Sequence, residues 1–382
     1  MYQPVKKEVL ETDYYKNNPY IRKESDEYIL LVDGHSLLKL SMVNKTINSK
    51  GELIGPITQF LWKIKAMMHK RDFNHVYVFW DGDNSGLMRW ELYSGYKKNR
   101  LKQYSDYDRN MNAFVRNVLN HKEKTEKEVE AEKERYEFTR LRLLLHTMLE
   151  DLFVRQVIDN LDGTECDDLI AYFCLNKNDN QKIFIMTTDF DIHQLISDSI
   201  MIYDFRKKEF FHKGNYKEMC GIPHENIMLK KVLVGDVSDN ITGISGLGID
   251  TLCKYFPEIQ EKPVTLSQIL EHAKQINSER KKPLKVIDNM LNEVTSDERE
   301  NVYEINEKII NLKKPLLGKQ VMYEMDEIMN NPLSVDDRNI ENVYKIIIDN
   351  EINELTGNAF SSFFMPFKKL SNKEREFYKK CI

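Results

Sequence analysis

An α/β fold with a central, mostly parallel sheet flanked by helices is what this sequence predicts. Three observations carry the prediction. The segments Tyr28–Val32, His75–Trp80 and Lys182–Met186 are short, almost wholly apolar runs, the pattern of strands covered on both faces. Amphipathic stretches lie between them; in Pro56–His69, residues Ile57, Phe60, Leu61, Ile64, Met67 and Met68 form one helical stripe. Each apolar run is followed within a few residues by acids: Asp33, then Asp81 and Asp83, then Asp189 and Asp191. Open parallel sheets bind ligands beyond the carboxyl ends of their strands, so these acids stand where chemistry is expected.

The composition narrows the class. A chain of 382 residues is long enough for one large domain or a domain with an appendage. It is 41% hydrophobic and 31% charged, as expected of a soluble globular protein. The net charge of −5 weighs against nucleic-acid binding in general, but the distribution of charge decides. The five cysteines (Cys166, Cys174, Cys220, Cys253 and Cys381) are odd in number and form no C-x-x-C pair, which argues for a reduced compartment and against zinc. No apolar run approaches the ~20 residues of a membrane span, and the N-terminus does not read as a signal peptide. A cytoplasmic protein without membrane contact is expected.

In chain order, residues 1–27 form a polar, tyrosine-rich lead-in without periodicity. The first strand ends in Asp33-Gly34-His35-Ser36, where Asp33 or Ser36 also suits a helix N-cap. After Asp81 come Arg89 and then Tyr96-Lys97-Lys98-Asn99-Arg100. From Lys97 to Asn120 six Lys/Arg stand against two Asp, a local excess of positive charge in an acidic protein. Tyr93 and Tyr96 beside these cations fit a nucleic-acid strand that is stacked and neutralised. The plainer reading is an exposed charged helical hairpin with no ligand. From His121 to Arg142 seven Lys/Arg face seven Glu, and Glu123/Lys127 has helical i,i+4 spacing, so a solvated helix is predicted.

Phe138–Leu152 continues as a helix and Phe153–Ile158 reads as a short strand. Glu165, Asp167 and Asp168 then open an apolar helix. Acids there suit the helix macrodipole, and they also hold carboxylates rigidly at a site mouth. Asp189-Phe190-Asp191 follows the third strong strand. His193 beside them is expected to pack or cap rather than bind metal. Ile200–Asp204 reads as an edge strand and Glu225–Val234 as an amphipathic helix. After Pro257 the chain is mostly helical and charged, and it ends in an aromatic stretch, Phe360–Phe367, expected to cover the body or else to dock in a partner's groove.

The stretch from Gly235 to Thr251 is the most informative. The three-residue spacing of Asp236 and Asp239 puts both carboxylates on one side of a helical turn, where they could share a hard cation. Gly243, Gly246 and Gly248 interrupt an apolar run and allow a tight loop whose N–H groups approach a phosphate. An ordinary surface turn would use the same residue types. If the sheet brings all nine acids together (Asp33, Asp81, Glu165, Asp167, Asp168, Asp189, Asp191, Asp236, Asp239), they cannot all stay ionised without divalent cations. Two Mg²⁺ ions ~3.5–4 Å apart would neutralise them and clamp a phosphodiester. Oxygen-only ligands favour Mg²⁺, with Mn²⁺ as a substitute, over zinc.

The sequence resembles the 5′–3′ exonuclease/flap endonuclease family, a PIN-like nuclease fold, and its free-standing bacteriophage members above all. Five blocks between Tyr28 and Pro257 carry the resemblance: LLVDGHS, WDG…R…LYSGYKKNR, TECDDLIA, TTDFDIHQLI and GDVSDNITGISGLGIDT. It implies metal-site roles for Asp33, Asp81, Glu165, Asp167, Asp189, Asp191, Asp236 and Asp239, with Asp168 as their neighbour in a catalytic role. It implies that Lys97 and Arg100 engage the scissile phosphate, that Tyr96 stacks near it, and that Arg89 and Lys98 are DNA-facing. A helical arch over about 96–140 and a helix–three-turn–helix module over 211–263 are implied, the latter gripping duplex through Gly243, Gly246, Gly248 and Thr251 and holding a K⁺ ion. The nuclease core would then span 28–210, with a mainly helical region at 264–382.

The implied activity is Mg²⁺-dependent, structure-specific 5′ nuclease action on 5′ flaps, nicked or gapped duplex, or RNA/DNA hybrid during replication, by a monomer in the cytoplasm (of the host, for a phage protein). Replication proteins are candidate partners for the aromatic tail. Three departures from the family pattern stand out: His35 replaces a small polar residue, Thr242 a Pro, and Ile249-Asp250 a Pro-Lys pair that usually offers DNA a cation. A non-catalytic junction-binding protein is the alternative; it would lack one of the metal acids, and none is missing. A small-substrate phosphohydrolase would account for Asp81-Gly82-Asp83 but not for the basic segment or the glycine loop.

Overall fold

The computed structural model describes residues 25–82, 85–98, 126–158 and 163–381. Its centre is a six-stranded sheet of order β3-β2-β1-β4-β5-β6, formed by β1 (Glu27–Asp33), β2 (His75–Trp80), β3 (Arg155–Ile158), β4 (Gln181–Thr187), β5 (Ile200–Asp204) and β6 (Glu209–Phe211). All neighbours run parallel except β5 and β6. Helices cover both faces of this mostly parallel sheet, as the apolar runs require. Ile200–Asp204 is not an edge: the short β6 was not foreseen and lies outside it, because Phe211 is the only residue of that strand that the core buries.

The helices preceding the sheet's second half are α1 (Gly34–Ser41), α2 (Gly55–Lys70), α3 (Leu87–Leu92), α4 (Glu126–Asp151) and α5 (Cys166–Asn176). On one face α1, α2 and α4 bury Leu37, Ile57, Phe60, Ile64, Leu145 and Met148 against β1, β2 and β4. On the other, α5 buries Leu169, Ile170 and Phe173 against the alternate residues of the same strands, including Ile29, Leu31 and Ile185. Because side chains alternate along a strand, each face takes every second residue.

After the sheet come α6 (Tyr216–Cys220), α7 (Ile227–Val234), a two-stranded hairpin of β7 (Gly235–Asp236) and β8 (Ile241–Thr242), α8 (Ile249–Tyr255) and α9 (Glu258–Glu261). Next are α10 (Leu266–Ser278), α11 (Lys285–Leu291) and α12 (Val302–Ile310), which share one core with α7 and the hairpin through Leu233, Ile244, Leu252, Ile269, Met290 and Val302. The chain then returns to the sheet as α13 (Lys319–Asn330), α14 (Ile340–Asp349) and α15 (Asn358–Cys381). Val321 and Met325 join one face of the sheet, and Val343, Ile347, Phe364 and Phe367 join the other.

The aromatic tail is therefore core. Phe363, Phe364 and Phe367 are buried against α2, so this stretch covers the body, the first of the two roles expected for it. Burying so many rings stabilises the tail on its own body and leaves few of them for a partner. An ion cluster at the amino ends of the strands fixes the same helix. Glu374 is fully buried, accepts from Arg155 Nε at 3.1 Å and Nη2 at 2.8 Å, and meets His75 Nδ1 at 2.8 Å. Burial pushes its carboxyl up, but the His75 and Arg155 contacts outweigh this and hold it below its usual range.

Glu374→Gln leaves the Arg155 guanidinium buried without a counter-charge, so stability should fall by about 3–5 kcal/mol in urea unfolding. A loss under about 1 kcal/mol would mean that water reaches this pair.

Candidate active site

The strand order reverses between β1 and β4, and the crevice at their carboxyl ends collects the acids. Asp33 ends β1 and caps α1, accepting from the Ser36 N–H at 2.9 Å and the Thr187 hydroxyl at 2.8 Å. Asp81 follows β2 and accepts from the Cys166 N–H at 2.9 Å, at the first residue of α5. His35 Nδ1 lies 3.3 Å from its other oxygen. Asp189 follows β4 and accepts from the Asp191 N–H at 2.8 Å. Each carboxylate is thus fixed by a neighbour's backbone or hydroxyl, which preorganises the cluster.

Such crowding has an electrostatic signature. Burial, reinforced by neighbouring carboxylates, raises the carboxyls of Asp33, Asp167 and Asp189 above the usual range. Burial and the same acids also push the Cys166 thiol up, so it is a neutral filler rather than a nucleophile. Glu165 behaves oppositely. Its burial would raise it, but Arg89 and Lys97 outweigh that and hold it at about 2.

A second group lies across the crevice. Asp191, Asp236 and Asp239 each offer an oxygen within 4.8 Å of the others, a three-carboxylate set suited to a hard divalent cation. The helical turn expected for Asp236 and Asp239 is instead a β-hairpin turn: Asp236 pairs with Ile241, and Asn240 turns the chain at φ 56°. The hairpin brings the two acids together, and Ser238 fixes Asp236 by donating its N–H (2.8 Å) and hydroxyl (2.6 Å) to it. Lys231 of α7 pairs with both Asp191 and Asp236. Burial would raise Asp236, but Lys231 holds it down. Lys231 went unnoticed in the sequence; its only signal there was a cation on a helix that ends two residues before Asp236.

Three of the expected site residues lie buried with partners inside the protein. Arg89 was expected to face DNA, yet it is 5% exposed, pairs with Asp168 through both terminal nitrogens and donates Nε to the Ile309 carbonyl at 2.9 Å. Burial lowers its basicity, but Asp168 and Glu165 raise it further, so it stays charged. Asp168, expected to be catalytic, is 1% exposed; it is committed to Arg89 and to the Leu316 N–H. It holds Arg89 beneath Glu165. Tyr96 was expected to stack near the scissile phosphate; the residue is 3% exposed and its hydroxyl donates to Glu165 at 2.8 Å. Burial keeps these three groups inside the wall of the site.

Lys97 reaches the site mouth. Its ammonium lies 2.5 Å from Glu165, its side chain is 22% exposed, and its N–H donates to the Asp239 carbonyl at 2.7 Å. Lys98 is exposed beside it. Arg100, Asp83 and most of the segment expected to form an arch lie outside the described residues.

The glycine loop splits by cause. A Cβ on Gly243 would meet the Val234 carbonyl at 2.2 Å, so this glycine serves backbone packing. Gly246 has φ +81° and open space around it, and Gly248 is open at the start of α8, so these two leave the loop approachable from outside. Thr251 is half-buried in α8. His193 packs among Phe190, Phe211 and Tyr216 at 1% exposure, the packing role expected for it.

Residues 28–221 match the family model for the 5′-3′ exonuclease N-terminal, resolvase-like domain. The chain belongs to the 5′-3′ exonuclease family. Over 233 residues it is 24% identical to the thermostable DNA polymerase I of Thermus caldophilus, covering 60% of this chain and 24% of that one. It is 30% identical over 109 residues to the flap endonuclease Xni of Colwellia psychrerythraea, 28% of this chain and 38% of that. The matched part thus spans well under half the length of these relatives. The T5 D15 protein, solved with metal ions, superposes with a TM-score of 0.55 at 16% identity over 85% of this chain and 99% of that. The fold is shared with that PIN-like flap nuclease.

The raised Asp189 carboxyl sets a sign for stability. When ionised it costs the metal-free protein stability, fully so above its raised pKa, and the cost disappears as pH falls towards its ordinary 3.8. Asp189→Asn should therefore melt higher than the parent in EDTA at pH 7.5, with the gap closing as the pH is lowered. A variant that melts lower at pH 7.5 would contradict a crowded acid cluster.

Proposed function

We propose that this protein is a divalent-metal-dependent 5′ nuclease that hydrolyses phosphodiesters at single-strand/duplex junctions, as a 5′–3′ exonuclease or flap endonuclease in replication. One observation carries the reading: the carboxylates gather at the switch point of a parallel sheet, and two of them ride on the hairpin that leads into the open glycine loop. A duplex backbone held by that loop would lie directly against the acid cluster.

The donor set is oxygen only, which fits Mg²⁺, with Mn²⁺ as a substitute. Asp33, Asp81, Glu165, Asp167 and Asp189 would hold one cation, and Asp191, Asp236 and Asp239 a second. When bound, such ions supply charge neutralisation, an activated water and a stabilised leaving oxygen. The chain's own groups do the rest. Lys97, partly exposed beside Glu165, would donate to a non-bridging oxygen of the scissile phosphate, where charge develops. Lys231 pairs with Asp191 and holds the Asp236 carboxyl below its usual range. Arg89 and Asp168 fix Glu165 from behind. The N–H groups around Gly246 and Gly248 would take the duplex phosphates with Thr251 near them, and a K⁺ ion could share that loop. Substrates would be 5′ flaps, nicked or gapped duplex or RNA/DNA hybrid, bound by a monomer.

An end-labelled 5′-flap duplex should give products near the junction with Mg²⁺, and none with EDTA or with Asp236→Ala. Tight junction binding without any cleavage would favour a non-catalytic junction-binding protein instead. Lys97→Ala should slow single-turnover cleavage by roughly 100-fold or more while changing duplex affinity by less than about threefold. Equal losses in both would reduce Lys97 to a general phosphate contact.

A further inference from the structure

The segment between α11 and α12 has no part in the carboxylate cluster, yet it grips both strands of the chain that build the site mouth. Arg299 lies at its centre. Its guanidinium carbon sits 4.2 Å from the centre of the Tyr93 ring. Its Nη2 donates to the Thr242 carbonyl and, at 2.9 Å, to Asn306 Oδ1, and its Nε faces Asp297 at 3.3 Å. Asn306, fully buried in α12, donates from its amide to the Thr242 carbonyl at 3.1 Å and the Val232 carbonyl at 3.0 Å. Asp297 accepts the Tyr93 hydroxyl at 2.9 Å.

Both ends of this clamp lead to proposed site residues within a few bonds. Thr242 pairs with Gly235 across the β7–β8 hairpin, and Asp236 is the next residue. Tyr93 begins the turn whose carbonyl accepts the Tyr96 N–H at 2.9 Å, and Lys97 follows. The turn and hairpin also touch directly, since Asn240 donates to the Gly95 carbonyl at 2.7 Å and the Lys97 N–H to the Asp239 carbonyl at 2.7 Å. The segment holding Arg299 is itself under constraint: Glu293, Glu298 and Asn301 all take left-handed backbone at φ 52°, 54° and 52°. Non-glycine residues keep that conformation only where their surroundings over-determine it. Bridges from Ile244 to Thr295 and from the Ser245 N–H to the Val294 carbonyl (2.8 Å) supply the constraint.

We propose that Arg299 is a positioning residue for cleavage, a fork that sets the Lys97-bearing turn against the Asp236/Asp239 hairpin and is itself fixed by Asn306. The assignment rests on the nuclease reading above. A planar guanidinium can stack on Tyr93 and bridge two acceptors at once, and a lysine cannot do both. Loss of the fork would let turn and hairpin drift apart without removing any group that touches DNA. Misplacement by about 1 Å costs on the order of 100-fold in rate.

The test is single-turnover cleavage of a 5′-flap duplex by the full chain, with duplex affinity and melting temperature measured alongside. Wild-type cleavage is the control; its absence would remove the nuclease reading itself, a result distinct from any below. Arg299→Ala should cut about 10- to 100-fold more slowly, bind duplex within about twofold of wild type, and stay folded at the assay temperature. Arg299→Lys should recover only part of the rate, and it serves in place of Arg299→Ala if that variant does not fold. Combining Arg299→Ala with Tyr93→Leu should be little worse than the more damaging single change, because both open the same clamp. An unchanged rate per folded molecule, a duplex affinity that falls as much as the rate, or fully additive losses would each overturn the proposal.

Discussion

Repulsion among carboxylates at the carboxyl ends of β1, β2 and β4 is the constraint on which the rest of this structure depends. Parallel strands deliver Asp33, Asp81 and Asp189 to one crevice, and α5 adds Glu165 and Asp167 from the facing side. Unscreened, these groups would protonate or push the crevice open. Their surroundings answer with fixed donors: the Ser36 and Cys166 N–H groups, the Thr187 hydroxyl and two ammonium groups. Cations bound from solution would complete the neutralisation.

The built-in positive charges divide by depth. Arg89 lies deepest, enclosed with Asp168 and Glu165, and acts as a permanent counter-charge that water does not reach. Lys97 and Lys231 are more exposed, one paired with Glu165 and the other with Asp191 and Asp236. A buried charge pair stabilises little by itself, and breaking it is costly, so such pairs are better read as devices that fix geometry. Here they fix where the carboxylates point.

The C-terminal third is part of the same mechanics. The Ile309 carbonyl and the Leu316 N–H complete the shell of Arg89 and Asp168, while α15 closes the opposite face of the sheet with Phe364 and Phe367. The residues after the glycine loop thus hold the site from outside, although none of them is an acid of the cluster. Their contribution is rigidity, which a cluster of like charges needs more than most sites.

Local pattern determined a good deal. Continuous apolar runs made β1, β2 and β4 legible, since a strand covered on both faces has no polar side to show, and the acids after them marked the working end of the sheet. The glycines near Asp236 marked a tight loop for the same local reason, that few other residues fit such backbone. What the tertiary structure alone decided is burial and partnership across distance. Arg89 and Tyr96 look like DNA-facing residues in a basic, aromatic stretch, yet Asp168 and Glu165, some seventy residues later, draw them inward. Lys231 is one of two adjacent lysines on an amphipathic helix until the hairpin folds back on it, and Asp236 and Asp239 meet across a β turn rather than along a helix. Sequence spacing records which residues can meet within one element; it carries no record of which side chains from distant elements compete for the same charge. That competition is settled by packing, and it is what separates the groups left at the site mouth from those sealed in its wall.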